Sequence, residues 1–257
     1  MPKPPTNSMT SVRRKTGPVI AIVQARMAST RLPGKVLLPL AGEPMLARVV
    51  FRARRARRVG EVVVATTNSP DDEAIVRLAV SHGWPVARGS SDDVLDRYHE
   101  VAKAHAAGGV VRITSDCPLT DPALIDRVIQ EFRARRCDYV SNTLEPRTYP
   151  RGLDVEVFSR DALERAWRED TNSAWREHVT PYLYRHPELF RLYRVAHRQD
   201  LSHHRWTVDT PEDYELMKRI YASFPEDTFG WAEVLRLLES HPDWLEINRG
   251  IPQKVVP

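Results

Sequence analysis

No apolar run in this chain approaches the roughly 18 to 20 residues that a membrane span requires. The N-terminus, MPKPPTNSMTSVRRKTG, is basic but lacks the apolar stretch of a secretion signal, so a cytoplasmic location and no membrane partner are expected. Cysteine is scarce. Cys117 and Cys137 stand twenty positions apart with no CxxC, which leaves no basis for a disulfide framework or a zinc site. Two glycine motifs are missing as well: GxxxxGK[ST] fails because Val36 follows Lys35, and GxGxxG occurs nowhere, so a P-loop kinase and a dinucleotide dehydrogenase are both disfavoured. Acids are nearly absent from residues 1–60, which carry thirteen Lys and Arg against the single acid Glu43. Since the whole chain is only +4, about −8 falls on the rest. The run RARRARRVG, Arg52 to Gly60, reads as a helix with Arg54, Arg55 and Arg58 on one solvated flank. It is not interleaved with aromatics as a base-stacking surface would be, so nucleic acid is not the expected partner.

What is present is an alternation. With 257 residues and 42% hydrophobic composition, the chain can bury one large α/β core or two small ones. The run from Pro18 to Val23 reads as a buried strand, and EPMLARVVFRARRARR has helical period with Pro44 at its start. EVVVATT, WPVAR, VVRITS and DYVSNT are further strands. Between them lie helices, one opening on Ser69 and Pro70, another on Asp121 and Pro122. This predicts a doubly wound, mostly parallel sheet. After Leu144 the pattern becomes mixed: LDVEVF as a strand, a helical stretch from Asp161 to about Arg185, a strand pair around LFRLYRVA and HHRWTV, and two final helices. The expected organisation is a disordered basic extension at 1–16, a single domain at 17–245 and a poorly ordered tail at 246–257.

Ligands of such sheets bind at the carboxyl ends of the strands. There the loop QARMASTRLPGK offers Arg26, Ser29, Arg31, Gly34 and Lys35: guanidinium forks, a hydroxyl, an ammonium and backbone N–H groups that suit a triphosphate, or simply a basic surface loop. Asp116 and Asp209 end strands, and neighbours relieve both of helix capping: Asp121 caps one helix, and Thr210 with Asp213 opens the other. Each alone could bond local backbone. Placed jointly beside a phosphate loop, they suit Mg²⁺, which takes one or two carboxylates plus phosphate oxygens. Asp154 and Glu156 share a face of LDVEVF, as a substrate-binding pair or as the polar side of a half-exposed strand. His178 and Arg205 could grip an acidic acceptor or serve structure. Cys117 has no histidine partner marked by the sequence, so a nucleophilic thiol is not expected.

Taken in order, QARMASTRLPGKVLLPLAGEPML, RGSSDDVLDRY, VRITSDCPLTDP, DYVSNT, RTYPRGLDVEVF, REHVTPY and RWTVDTPEDYE resemble the spore coat polysaccharide biosynthesis protein F family, over about residues 18 to 223. That family is a branch of the CMP-sugar-acid synthetases. The resemblance implies a nucleotide-diphospho-sugar-transferase type of fold, attack of an acceptor oxygen on the α-phosphate of CTP, release of pyrophosphate, and a homodimer. It implies that Arg26, Ser29, Arg31 and Lys35 hold the triphosphate, that Asp116 and Asp209 bind Mg²⁺, and that Ser90 and Asp93 border the nucleotide or acceptor pocket. The expected partners are CTP and an acidic sugar of nonulosonic or sialic-acid type. Where relatives have Glu-Pro after the metal aspartate, this chain has Cys117-Pro118, which leaves the acceptor open. A metal-dependent glycosyltransferase using a nucleotide sugar, or a cytidylyltransferase acting on a non-sugar acid, are the alternatives.

Overall fold

Val19–Gln24 (β1) sends Val19, Ala21 and Val23 into one apolar cluster and Ile20 and Ile22 into a second, so both of its faces are covered. This computed structural model describes residues 17–253; the expected extension at 1–16 and the end of the expected tail, 254–257, lie outside the described residues. A hairpin of Pro39–Leu40 (β2) and Glu43–Pro44 (β3) leads into Met45–Arg54 (α1). Glu61–Thr67 (β4), Glu73–Ser81 (α2), Val86–Gly89 (β5), Val94–Ala104 (α3), Gly109–Thr114 (β6), Pro122–Arg135 (α4) and Tyr139–Ser141 (β7) then alternate. Glu156–Ser159 (β8), Arg160–Glu169 (α5), Ser173–His178 (α6), Pro181–Arg185 (α7), Leu192–Arg194 (β9), Pro211–Ala222 (α8) and Trp231–Ser240 (α9) follow.

The large sheet has the order β5-β4-β1-β6-β8-β7-β9. Its pairs are parallel except those of β8, which runs antiparallel to β6 and β7, so the sheet is mostly parallel with a mixed C-terminal part, as expected. From β1 the chain winds outward through β4 to β5, then crosses back to β6 on the other side of β1. The loops leaving β1 and β6 therefore diverge and open a crevice. Register pairs Gln24 with Thr114, which brings the loop after Gln24 and the segment Ser115–Asp116 to one edge. Local chemistry holds the helix starts: Ser69 Oγ accepts from Asp71 N, Asp121 Oδ1 accepts from Leu124 N at 2.9 Å, and Thr210 and Asp213 form a reciprocal cap.

Four expectations change. Arg54, Arg55 and Arg58 are exposed as expected, but they do not share one helix: α1 stops at Arg54, and Arg52 of the same run is fully buried, donating to the carbonyls of Thr120 and Phe229 and pairing with Asp227. The stretch 161–185 breaks into three helices, with Asn172 capping α6 and Val179 turning at φ +70°. HHRWTV forms no regular strand, only a bridge between Arg151 and Arg205, because its backbone is spent on loops: Trp206 N donates to Arg151 O and Val208 N to Asp116 O. Gly152, at φ +99°, permits this approach, since a Cβ there would lie 2.5 Å from the Trp206 carbonyl carbon. Finally, the described part of the expected tail is held in place. Asn248 is buried and donates to Arg205 O and to Asp213 Oδ1, and the Arg205 guanidinium donates to Gln253. Among the described residues no helix is long and apolar enough to cross a membrane.

Candidate active site

The loop after β1 is shaped by Gly34, whose φ of +68° opens a short 3₁₀ turn, Lys35–Leu37, and lets Gly34 N donate to Met27 O. That turn carries Lys35 inward, where it is 8% exposed. Its ammonium donates to Asp116 Oδ2 at 2.9 Å, to Asp209 Oδ1 at 2.9 Å and to Val208 O at 2.8 Å. A cation this buried needs counter-charges, and the two aspartates supply them. They meet because Val208 N and Thr207 Oγ1 both donate to Asp116 O, which splices the segment before Asp209 onto the end of β6. Lys35, expected to hold a triphosphate, links the two carboxylates in this structure.

Asp209 takes further cations. Arg31 Nη2 and Arg205 Nη2 reach its Oδ2 at 2.8 and 2.9 Å, while Arg205 is itself forked onto Asp213. Arg205 is thus a buried strut behind Asp209 rather than an open grip for an acceptor. Burial alone would lower the Lys35 pKa, but the two carboxylates outweigh it and the net shift is upward. For Asp116 burial pushes upward and Lys35 overcomes it, so the carboxyl lies below its ordinary value. Cys117, beside it, is buried and bonded to Thr114 Oγ1 at 3.2 Å; burial and the charge of Asp116 raise its thiol well above normal, which suits packing rather than attack.

The remaining residues fall in three places. Arg26, about half exposed, crosses the crevice to Glu177 on α6 at 3.0 Å, and Ser29 Oγ accepts from Leu32 N within the loop. Ser90 and Asp93 are occupied locally: Ser90 Oγ accepts from Asp92 N and Asp93 N, while Asp93 caps α3 and binds Arg176 of α6 at 2.7 Å. Asp154 and Glu156 are not a pair on one exposed strand face. Asp154 precedes β8 and is held by Arg147 and Gly152 N, whereas Glu156 is buried against Arg112, Tyr139 Oη and Thr180 Oγ1. His178 is half-buried at the end of α6, and burial with the nearby Arg112 keeps its pKa below normal. Sequence reasoning missed Glu177, Arg176 and Arg112. The first two sit in the same REH segment as His178, and their signal was the charge flanking it.

Among the described residues no group of three or more His, Cys, Asp or Glu converges on a metal position. The two carboxylates brought together by Lys35 still fit Mg²⁺, because that ion completes its shell with water and substrate phosphate oxygens. Asp116 Oδ1, whose neighbour is the Cys117 thiol at 3.6 Å, is the least committed oxygen of the pair. Two carboxylates, a lysine and two arginines on the lip of a switch-point crevice can hold a polyphosphate by its charge and keep an attacking oxygen close to it.

Comparison with known proteins gives this chemistry its class. The family model described as cytidylyltransferase matches residues 20–246. The spore coat polysaccharide biosynthesis protein SpsF of Bacillus subtilis is 34% identical, over 88% of this chain and 95% of its own. A 3-deoxy-manno-octulosonate cytidylyltransferase of Geobacter metallireducens is 31% identical, over 69% of this chain and 79% of its own. The solved structure of a cytidylyltransferase from Leptospira borgpetersenii superposes with a TM-score of 0.85 at 32% identity, covering 92% of this chain and 98% of that one. Matched over nearly all of its described length, the chain belongs to the cytidylyltransferase family and is a CTP-dependent nucleotidyltransferase.

Proposed function

We propose that the protein transfers CMP from CTP to an oxygen of an acidic sugar, in the manner of a CMP-sugar-acid synthetase, for the building of a surface polysaccharide or glycan. The observation that carries this reading is the Lys35–Asp116–Asp209 cluster, set at the switch-point crevice beneath the arginine-bearing loop. The names of two relatives support the acceptor class, one acting on 3-deoxy-manno-octulosonate and one in polysaccharide biosynthesis.

In this reading Arg26, Ser29 and Arg31 bind the triphosphate. Arg31 would exchange its contact with Asp209 for a phosphate oxygen, and Arg26 would release Glu177. Asp116 and Asp209 would hold Mg²⁺, which when bound neutralises phosphate charge and favours ionisation of the acceptor hydroxyl. Lys35 orients both carboxylates and favours the ionised form of Asp116. The acceptor oxygen forms a bond to the α-phosphorus as the bond to the β-phosphate bridging oxygen breaks, and pyrophosphate leaves with that electron pair. His178, at the end of α6 and kept neutral by burial and the nearby Arg112, would offer the acceptor a hydrogen bond rather than a charge.

The test is a thermal-shift panel of the four nucleoside triphosphates with Mg²⁺, followed by pyrophosphate release with a set of sugar acids and non-sugar acids. Stabilisation by CTP above the others and release dependent on a sugar acid are expected. Release with only a non-sugar acid overturns the acceptor class. Equal stabilisation by ATP or UTP overturns the choice of base.

A further inference from the structure

Behind Asp209, away from the crevice, lies a cavity of about 320 Å³ between the 202–206 segment and the packed chain end. Its lining includes Arg151, His203, His204, Arg205, Trp206 and Arg249, and no Asp or Glu. Two of these side chains carry buried nitrogens without a partner: Nδ1 of His204, a residue 7% exposed, and Nε1 of Trp206, which is fully buried. An indole N–H only donates and needs an acceptor oxygen, and it bonds to none of those that Ser202, Asn248 and Gln253 bring to the lining; His204, its pKa lowered by burial to about 4, is neutral. Arg151 lies close enough to Arg147 and Arg205 for their charge to add to burial in lowering its pKa. The acids nearby are already engaged: Asp213 by Arg205, and Glu246 by Arg249 at 2.7 Å.

We propose that this cavity is a second anion site, distinct from the crevice, taking a small phosphate- or carboxylate-bearing molecule that shares Arg205 with Asp209. Water could fill one orphan N–H, but of the three guanidiniums around the cavity Arg205 and Arg249 have carboxylate partners and Arg151 has none among the described residues, so its charge calls for an anion as well as a hydrogen-bond acceptor. The volume admits an inorganic phosphate with room for the body of a sugar phosphate or carboxylic acid. The carbonyl of Arg205 is held by Asn248 and its guanidinium by Asp213 and Asp209, so one face of the strut serves the crevice while the cavity meets the other.

Inorganic phosphate, titrated into the full chain by calorimetry and followed by thermal shift, tests this. Arg249→Ala removes an exposed cavity cation and Trp206→Phe removes the indole donor; Arg26→Ala alters only the crevice, since Arg26 pairs with Glu177. Phosphate affinity is expected to fall about tenfold in each cavity variant, the size of one lost charge-assisted hydrogen bond, and to survive in Arg26→Ala. Phosphate binding that disappears in Arg26→Ala and is unchanged in Arg249→Ala assigns the anion to the crevice and overturns the proposal. So does the absence of any phosphate binding at millimolar concentration. Should Trp206→Phe unfold, Arg249→Ala alone decides. Neither result depends on the acceptor or on turnover, so failure here leaves the cytidylyl-transfer reading untouched.

Discussion

Replacing Lys35 by Met removes the ammonium while keeping most of its stem. The nearest oxygens of Asp116 and Asp209, each 2.9 Å from that nitrogen, then face one another with no cation between them. Their side chains are only 26% and 16% exposed, so water screens them incompletely. Two unit charges about 6 Å apart at an effective dielectric of about 20 repel by about 3 kcal/mol. Adding the lost hydrogen bonds places Lys35→Met at about 3 to 5 kcal/mol of destabilisation, the range for removing one partner of a buried pair. The sign of the pH response is the sharper readout. In the native protein Lys35 holds the Asp116 carboxyl below its unfolded value. That stability is present above the unfolded pKa, about 4, and is lost as pH falls through the lower folded value. Without Lys35, burial and the neighbouring carboxylate push the Asp116 pKa above the unfolded value, so the folded variant binds the proton first. Its stability must rise as pH falls from 7 toward about 5, where the native protein's Asp116 contribution stays constant. Urea unfolding at several pH values measures this, and millimolar Mg²⁺ should restore part of the loss at pH 7. A variant as stable as the native protein at pH 7, or one that weakens on acidification over that window, refutes the account.

Asp116→Asn and Asp209→Asn are each expected to lower turnover by about 10² to 10³, the cost of one preorganised electrostatic contact. The double variant should lose far less than the product, because the two act as a unit; independent losses in pyrophosphate release would separate them. Asn248→Ala withdraws donors from Arg205 O and Asp213 Oδ1 and should cost about 1 to 3 kcal/mol. An unchanged unfolding midpoint would mean that the chain end does not support the Arg205 strut.

The parts of this fold that could be read from sequence are those whose cause is local. The β1, β4 and β6 segments carry apolar runs (19–23, 62–65 and 110–111) because both faces are covered, and Ser69, Asp121 and Thr210 mark helix starts through bonds to residues two or three positions on. The same logic placed Asp116 just past the end of β6 and left Asp209 free of capping duty, although the segment before Asp209 is no regular strand. What could not be read is the partner of each charge. Lys35 finds its carboxylates 81 and 174 positions away, and Arg52 finds Asp227 at a separation of 175. Within a short window a cation bound for the interior and one bound for solvent look alike, so neither the carboxylate partners of Lys35 nor the burial of Arg52 could be read from its neighbours. Glu156 failed in the opposite direction. Its alternation with Val155 and Val157 suggested a wet strand face, but the face is covered by α5 and α7, and Arg112, Tyr139 and Thr180 satisfy the carboxylate there.

Charge segregation along the chain has a spatial resolution that explains the crevice. The first sixty residues carry thirteen cations and one acid, and the rest is net negative. Folding sets the acids of the later segments against the cations of the first: Asp116 and Asp209 on Lys35, Asp209 on Arg31, Asp227 on Arg48, Arg52 and Arg55. The deep members of that set are neutralised and structural. Those at the lip are not equally committed. Arg26 is 47% exposed in its pair with Glu177, and Arg31 is 27% exposed in its pair with Asp209, so water already weakens both contacts. In the proposed reading an incoming triphosphate, which carries more charge than either carboxylate and offers forked oxygens to each guanidinium, would displace these pairs without disturbing Lys35. On that proposal two duties are separated within one basic loop: the buried lysine holds the carboxylates in place, and the exposed arginines would exchange their partners for the nucleotide.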